Sequence, residues 1–85
     1  MTNKIPIGTL IKSKDEYIYL WDKYDYKENS MEGQCYHQDR IIGLVLDIKE
    51  TRNTSEFGWV AKIATVSNNG NQCTGWIWCD MIEKV

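Results

Sequence analysis

The sequence lacks an excess of charge of either sign. Its 85 residues include 10 Lys and Arg and 12 Asp and Glu, which leaves a formal net charge of −2. Proteins that hold DNA by bulk electrostatics gather a basic face that displaces counterions, so this balance argues against that class. A chain of 85 residues has room for one hydrophobic core only, and we expect a single domain spanning residues 1–85.

Long apolar runs are also missing. No stretch is long enough to cross a bilayer as a helix, and residues 1–8 lack the apolar segment of a secretion signal. We therefore expect no membrane partner and a cytoplasmic location. Cysteine is scarce and odd in number, so Cys35, Cys73 and Cys79 cannot form a complete set of intrachain disulfides, and we interpret them as free packing thiols.

No group of residues with an evident chemical role stands out. Zinc ligands usually come in closely spaced pairs, whereas Cys73 and Cys79 are six positions apart on a predicted strand. Cys35 and His37 would share one side of an extended segment, but no third group is identifiable to orient the imidazole. We expect no metal site, no cofactor and no catalytic residues, and therefore a protein that is not an enzyme.

What the chain does have is a hydrophobic period close to two, with many β-branched and aromatic residues. This pattern predicts an all-β fold with strands at 7–12, 17–24, 40–49, 57–66 and 73–79, a helical turn at 80–82 and a last short strand at 83–85. Residues 25–39 are mostly polar and are predicted to form one long early loop. Residues 50–56 read as a polar turn, and Asn69-Gly70 marks a tight hairpin turn.

Alternation along these strands also predicts a core. The residues expected to be buried are Ile7, Leu10, Ile42, Leu44, Leu46, Ile48, Ala61, Ile63, Ile77 and Ile82.

The chain is rich in aromatic residues, with four Trp and five Tyr. On predicted strand 73–79, Ile77 is assigned to the core, which leaves Trp76 and Trp78 on the opposite face. Two interpretations stay open at this point. The two indoles form a contact surface for a partner, or a covering segment of the same chain, 17–26 or 25–39, folds over them.

The segment before the polar stretch alternates acidic and aromatic side chains. Such a surface suits an Arg- or Lys-bearing peptide through ion pairing and cation–π contact, and a solvated acidic loop with buried tyrosines is the alternative. The predicted partner-binding residues are Trp76, Trp78, Tyr17, Tyr19, Trp21, Tyr24, Tyr26, Asp22 and Asp25.

Three segments resemble, in order, motifs of the Src-homology-3-like barrels. Residues 20–26 (Leu-Trp-Asp-Lys-Tyr-Asp-Tyr) are similar to the family's Ala-Leu-Tyr-Asp-Tyr segment, and residues 58–62 (Gly-Trp-Val-Ala-Lys) to its Trp-Trp-x-Ala strand. Residues 75–82 (Gly-Trp-Ile-Trp-Cys-Asp-Met-Ile) are similar to its Gly-Tyr-Ile-Pro-Ser-Asn-Tyr-Val corner. The resemblance implies a barrel of five or six short strands with one long early loop.

The chain departs from that family at the peptide groove. Gly58, Trp78 and Met81 stand where the family has the first Trp of its pair, the corner Pro and the corner Tyr. A groove without those rings has lost much of the slot that a proline-rich helix docks against, so we do not expect binding of proline-rich peptides.

A second resemblance is to small barrels encoded by tailed bacteriophages. The shared series comprises residues 8–11 (Gly-Thr-Leu-Ile), 42–46 (Ile-Gly-Leu-Val-Leu), 59–63 (Trp-Val-Ala-Lys-Ile), Asn69-Gly70, Gly75-Trp76 and 82–85 (Ile-Glu-Lys-Val). The resemblance implies a phage origin, and with it a location in the host cytoplasm or in the virion. It implies no chemistry.

These observations favour a non-enzymatic protein–protein interaction module. The expected role is an accessory factor directed at a host protein, or a small assembly factor, that binds a protein partner. Exposed sheet edges are a second route, by which the chain would add a partner strand or associate with itself.

Two alternatives stay open. One is a small barrel that binds single-stranded nucleic acid, in which Lys12, Lys14, Lys49 and Lys62 gather on one side. The other is a structural component of a phage particle.

Overall fold

The computed structural model describes residues 4–28, 30–39, 41–51, 58–66 and 72–85. Within these ranges the chain forms β-strands and one short 3-10 turn, with no α-helix. The predicted all-β class is therefore confirmed. No helix in these ranges has the length and apolar character needed to span a membrane.

Within the described residues, seven strands make one antiparallel sheet. β1 spans Leu10–Ser13, β2 Tyr17–Asp25, β3 Ser30–Asp39, β4 Ile42–Glu50, β5 Trp59–Val66, β6 Gln72–Trp78 and β7 Ile82–Lys84. The 3-10 turn Cys79–Met81 joins β6 to β7, within one residue of the predicted helical turn. The strand order across the sheet is β3-β2-β6-β5-β4-β1-β7.

The sheet is open, which corrects the predicted closed barrel of five or six strands. β3 and β7 lie at its two ends, and within the described ranges they do not pair with each other. Closure would require the two end strands to share a ladder of hydrogen bonds, and β7 is only three residues long.

The predicted long loop is wrong as well, because residues 30–39 form β3 and pair with β2 in a hairpin. The backbone amides of Lys27 and Glu28 donate to Oδ1 of Asp25 at 2.9 and 3.2 Å, and these bonds define the turn. Gly33 has φ of +88° where the register shifts, as expected for a β-bulge. An end strand makes backbone bonds along one edge, so its polar composition does not prevent it from forming.

One main cluster of buried residues fills the inner side of the sheet. Ala61, Ile63, Ile77 and Ile82 belong to it as predicted, and Ile48 packs against it partly buried. The other buried members are Ile5, Ile11, Ile18, Leu20, Ile41, Val45 and Cys79.

The other five predicted core residues are exposed. Relative exposure lies between 38% and 66% for all five, namely Ile7, Leu10, Ile42, Leu44 and Leu46. On β1 and β4 the residues of opposite parity, Ile11 and Val45, point inward instead. Both strands are apolar at successive positions, so a period of two does not say which set is buried. A register shift between Val45 and Asp47 then allows Ile48 to face the core.

β5 and β6 are neighbours, with pairing from Val60–Trp78 to Val66–Gln72. The predicted Asn69-Gly70 turn between them lies outside the described residues, and so does most of the predicted turn at 50–56.

Candidate functional site

β6 has the two faces that its sequence predicts. Ile77 is buried in the main cluster, while Trp76 and Trp78 belong to a second cluster on the opposite face. Gly75 lets β2 cross close to β6, because a Cβ at this position would lie 2.8 Å from Cβ of Leu20. The pair Trp21–Trp76 marks that crossing.

The two indoles are largely covered by the β2–β3 hairpin. The ring of Tyr24 on β2 lies 6.3 Å from that of Trp76 and 6.0 Å from that of Trp78, the second contact being edge-on. Met31 on β3 packs against the same cluster. Trp76 is 8% exposed, and Trp78 is half-buried. Of the two interpretations left open by the sequence, the covered one is therefore observed, and Trp78 alone keeps a substantial accessible edge.

The remaining predicted partner-binding residues lie along β2 and its turn. Tyr19 and Tyr26 are exposed, and Trp21 is half-buried beside Trp76. Asp22 is exposed and Asp25 holds the turn. The side chain of Tyr17 lies outside the described part of the structure.

The four lysines considered for nucleic-acid binding are divided between separate places. Lys49 Nζ lies 5.2 Å from the ring of Trp76, and Lys62 is the cross-strand neighbour of that residue. Lys12 is 3.9 Å from Glu83 in an exposed ion pair. Lys14 lines a separate polar depression of about 470 Å³.

That polar depression carries both signs of charge. Lys4, Lys14 and Lys84 line it together with Asp80 and Glu83. The Lys4 ammonium also lies 5.0 Å from the ring centroid of Trp59. Because carboxylates and ammonium groups both line it, the depression does not present a field of one sign.

The thiols differ in their surroundings. Burial, assisted by the neighbouring Asp80 carboxylate, raises the pKa of the Cys79 thiol to about 11, and Cys73 is a half-buried free thiol. The side chains of Cys35 and His37 lie outside the described part of the structure. Among the described side chains, no group of three or more His, Cys, Asp and Glu could hold a metal ion.

A feature that the sequence prediction missed is an apolar surface on the outer side of β1, β4 and β5. We call it the outer apolar face and define it by Leu10, Ile42, Leu44 and Ala64, which line an open depression of about 530 Å³. Ile42 is 66% exposed, Leu10 55% and Leu44 38%. Leu46, further along β4, is exposed too.

Strand register explains why these side chains share one face. Leu10 pairs with Leu44, Leu44 with Ala64, and Ala64 with Thr74, so one row crosses four strands. The neighbouring row starts at Ile11, which is fully buried. Alternation along each strand therefore turns the Leu10 row away from the core.

One signal in the sequence could have found this surface. Lys12 and Leu10 have the same parity on β1, whereas Ile11 and Ser13 have the other. A lysine is rarely buried, so Lys12 marks the outward side of the strand and places Leu10 there as well.

Comparison with known proteins assigns this chain to no family. No protein-family model, no curated protein and no solved structure matches the chain.

Proposed function

We propose that this chain is a non-enzymatic protein–protein interaction module that binds through the outer apolar face. The observation that carries the proposal is the contiguity of Leu10, Ile42, Leu44 and Ala64 on one side of the sheet. Single exposed apolar side chains are normal, but contiguous ones on a small protein mark a contact surface. Burial of a large aliphatic side chain contributes about 1.5–3 kcal/mol, so three of them supply a strong driving force.

The aromatic cluster takes a secondary role in this proposal. Trp76 is buried beneath Tyr24 and acts in the fold, whereas Trp78 is half-buried and the rings of Tyr19 and Tyr26 are exposed. This changes the centre of the proposed surface from β6 to β1, β4 and β5.

Nucleic-acid binding is the weaker candidate. Lys49 and Lys62 lie beside Trp76, which favours it, but Lys12 is paired with Glu83 and Lys14 lies in a depression of mixed charge. Stacking of bases needs open rings, and Trp76 is covered.

The proposals for the domain family, the origin and the location of the protein are supported by sequence motifs alone. We propose on that basis a Src-homology-3-like domain of phage origin that acts in the host cytoplasm, as an accessory or assembly factor or as part of the particle.

An affinity capture with matched variants tests the proposed function. Wild-type protein, Ile42→Lys, Trp78→Ala and Glu28→Lys are immobilised, and each is exposed to a bacterial lysate and to free wild-type chain. The lysine at position 42 puts an ammonium in the outer apolar face, and retention of the bound protein should fall at least about tenfold, or 1.4 kcal/mol. Glu28→Lys puts an ammonium on an exposed residue of the β2–β3 turn and should retain the wild-type level.

Thermal unfolding shows whether each variant is folded. Capture that is equal for wild type and Ile42→Lys would remove the outer apolar face from the proposal. A loss confined to Trp78→Ala would return the contact to the aromatic surface.

A further inference from the structure

The outer apolar face has a geometry that suits a flat partner. It lies across β1, β4 and β5 of an antiparallel sheet, where side chains stand roughly perpendicular to the strands. A second sheet packs on such a surface at about 10 Å, with strand directions within about 30°. We infer that its occupant is a second copy of this chain, packed face to face in a two-fold dimer, an inference that rests on the proposed function.

The charge distribution supports a copy of the chain over a charged partner. Among the described residues, those that line the depression are all uncharged, namely Leu10, Ile42, Gly43, Leu44, Ala64, Thr65 and Gln72. A strongly acidic or basic protein would find no complementary charge there, and its own charged groups would be dehydrated without partners. A second copy brings only uncharged groups to the centre of the contact.

The rim of the face is compatible with its own copy. Glu83, Lys12 and Ile42 form one row across β7, β1 and β4, and the Lys12–Glu83 pair presents both signs of charge. In a two-fold contact each patch meets the same patch of the partner, so a rim of one sign would repel itself. The Lys12–Glu83 pair, which carries one charge of each sign, avoids this cost on its side of the face.

The hydroxyl beneath the face, that of Thr65, is already satisfied within the chain. The hydroxyl of Thr65 donates to the carbonyl oxygen of Ile42 at 2.9 Å. Removing water from this part of the face therefore leaves the Thr65 hydroxyl paired. The net charge of −2 per chain gives only weak repulsion between copies, which salt screens at physiological strength.

Edge pairing through β3 is the competing route to a dimer. Its Gly33 bulge interrupts the ladder and increases the local twist, which hinders regular pairing along that edge. A face contact needs no free edge, so the two routes respond to different substitutions.

Sedimentation velocity over protein concentrations from about 1 µM to about 500 µM tests the inference, since that range brackets a micromolar dissociation constant. The mass of the wild type should rise from the 10.0 kDa of one chain to twice that value. Ile42→Lys and Leu44→Glu should stay at the mass of one chain throughout. Glu28→Lys should follow the wild type, because it changes an exposed side chain in the β2–β3 turn.

Circular dichroism and thermal unfolding verify that the monomeric variants are folded. Ile42→Val keeps the apolar character of the position and should dimerise like the wild type. If Ile42→Lys fails to fold, the comparison of Leu44→Glu with the wild type gives the result. A wild type that stays at one chain mass up to the highest concentration overturns the inference. A dimer that persists in both charged variants overturns it too, because the contact then lies outside the outer apolar face. If the wild type is monomeric but Ile42→Lys abolishes lysate capture, the second copy is excluded and the proposed function stands.

Discussion

At the scale of single residues, the chemical reactivity of Cys73 and Cys79 reports how deeply each thiol is buried. Cys79 is buried in the main cluster with a pKa raised to about 11, whereas Cys73 is half-buried. A raised pKa means that less thiolate is present at any pH below that value, and the thiolate is the species that reacts. We expect iodoacetamide at about pH 8 to label Cys73 before Cys79 in the folded protein.

Mass spectrometry of peptides from timed samples measures the two labelling rates. In urea, where the fold is lost, the rates should converge. Equal labelling of Cys79 and Cys73 in the folded state would contradict the burial of Cys79. The rates should also respond to pH in one direction: labelling of Cys79 rises as the pH approaches 11, because its thiolate becomes populated there.

Gly75 is the residue on which the crossing of β2 over β6 depends. A Cβ there would lie 2.8 Å from Cβ of Leu20 and 3.2 Å from the carbonyl oxygen of Trp21. Neither atom is the end of a flexible side chain, so Gly75→Ala must displace backbone. We expect a loss of about 2 kcal/mol in the free energy of unfolding, within the range for overpacked cores.

Urea denaturation measures this loss, and Thr74→Ala is the matched control on the same strand. Thr74 is exposed, so its replacement should change stability by no more than about 0.5 kcal/mol. If Gly75→Ala is as stable as this control, the close crossing of the two strands is wrong.

At the scale of strands, the sequence predicts a face only where polar and apolar residues alternate. On β6, the polar Thr74 lies on one face and Gly75 on the other, and the prediction that Ile77 is buried is confirmed. On β4, residues 42–46 are apolar on both faces apart from one glycine, and the predicted burial of Ile42, Leu44 and Leu46 is wrong. The charge of Lys12 indicates which residues of β1 face outward, but the register shift beside Leu46 has no comparable signal in the sequence.

β3 could not be predicted for a different reason. Strand signals in a sequence are mostly signals of burial, and β3 lies at the end of the sheet with polar residues at most positions. Its pairing with β2 comes from the hairpin turn held by Asp25. The sequence left open whether the indoles were covered, because the answer depends on this hairpin.

The hairpin leads to a prediction about the two indoles. Trp76 is buried beneath Tyr24 and Met31, while Trp78 is only half-buried. We expect Trp76→Ala to lower the free energy of unfolding by about 3–5 kcal/mol, the range for large aromatic residues in cores. Trp78→Ala should cost clearly less, because part of that ring is already in water.

Urea denaturation followed by circular dichroism compares the two variants without relying on tryptophan fluorescence. Tyr24→Ala provides an independent check, since removing the cover should shift the tryptophan emission of the folded protein to longer wavelength. Equal and small losses for Trp76→Ala and Trp78→Ala would show that the hairpin does not cover the cluster.

At the scale of the whole molecule, the two sides of the sheet explain why one surface is left without a cover. The inner side holds the main cluster, and the β2–β3 hairpin covers the aromatic part of the outer side. The part of the outer side formed by β1, β4 and β5 has large exposed aliphatic side chains instead. A second copy would cover these side chains, as the β2–β3 hairpin covers Trp76.

Such a dimer links folding to concentration. Binding that occurs only in the folded state stabilises it by mass action, so the thermal midpoint of the wild type should rise with protein concentration. Leu44→Glu removes the contact and should unfold at a midpoint that does not depend on concentration. Differential scanning calorimetry at several concentrations measures both proteins under the same conditions.

Salt separates this apolar association from nucleic-acid binding. The described residues that line the outer apolar face carry no charge, so we expect the dissociation constant of the dimer to change by less than about threefold between low and moderate salt. A complex that depends on several lysine–phosphate contacts weakens by about 10³-fold or more over a similar range. Sedimentation at two salt concentrations tests the dimer, and titration with a labelled single-stranded oligonucleotide tests the alternative. A dimer that dissociates steeply with salt would show that charged groups, and not Leu10, Ile42 and Leu44, hold the two copies together.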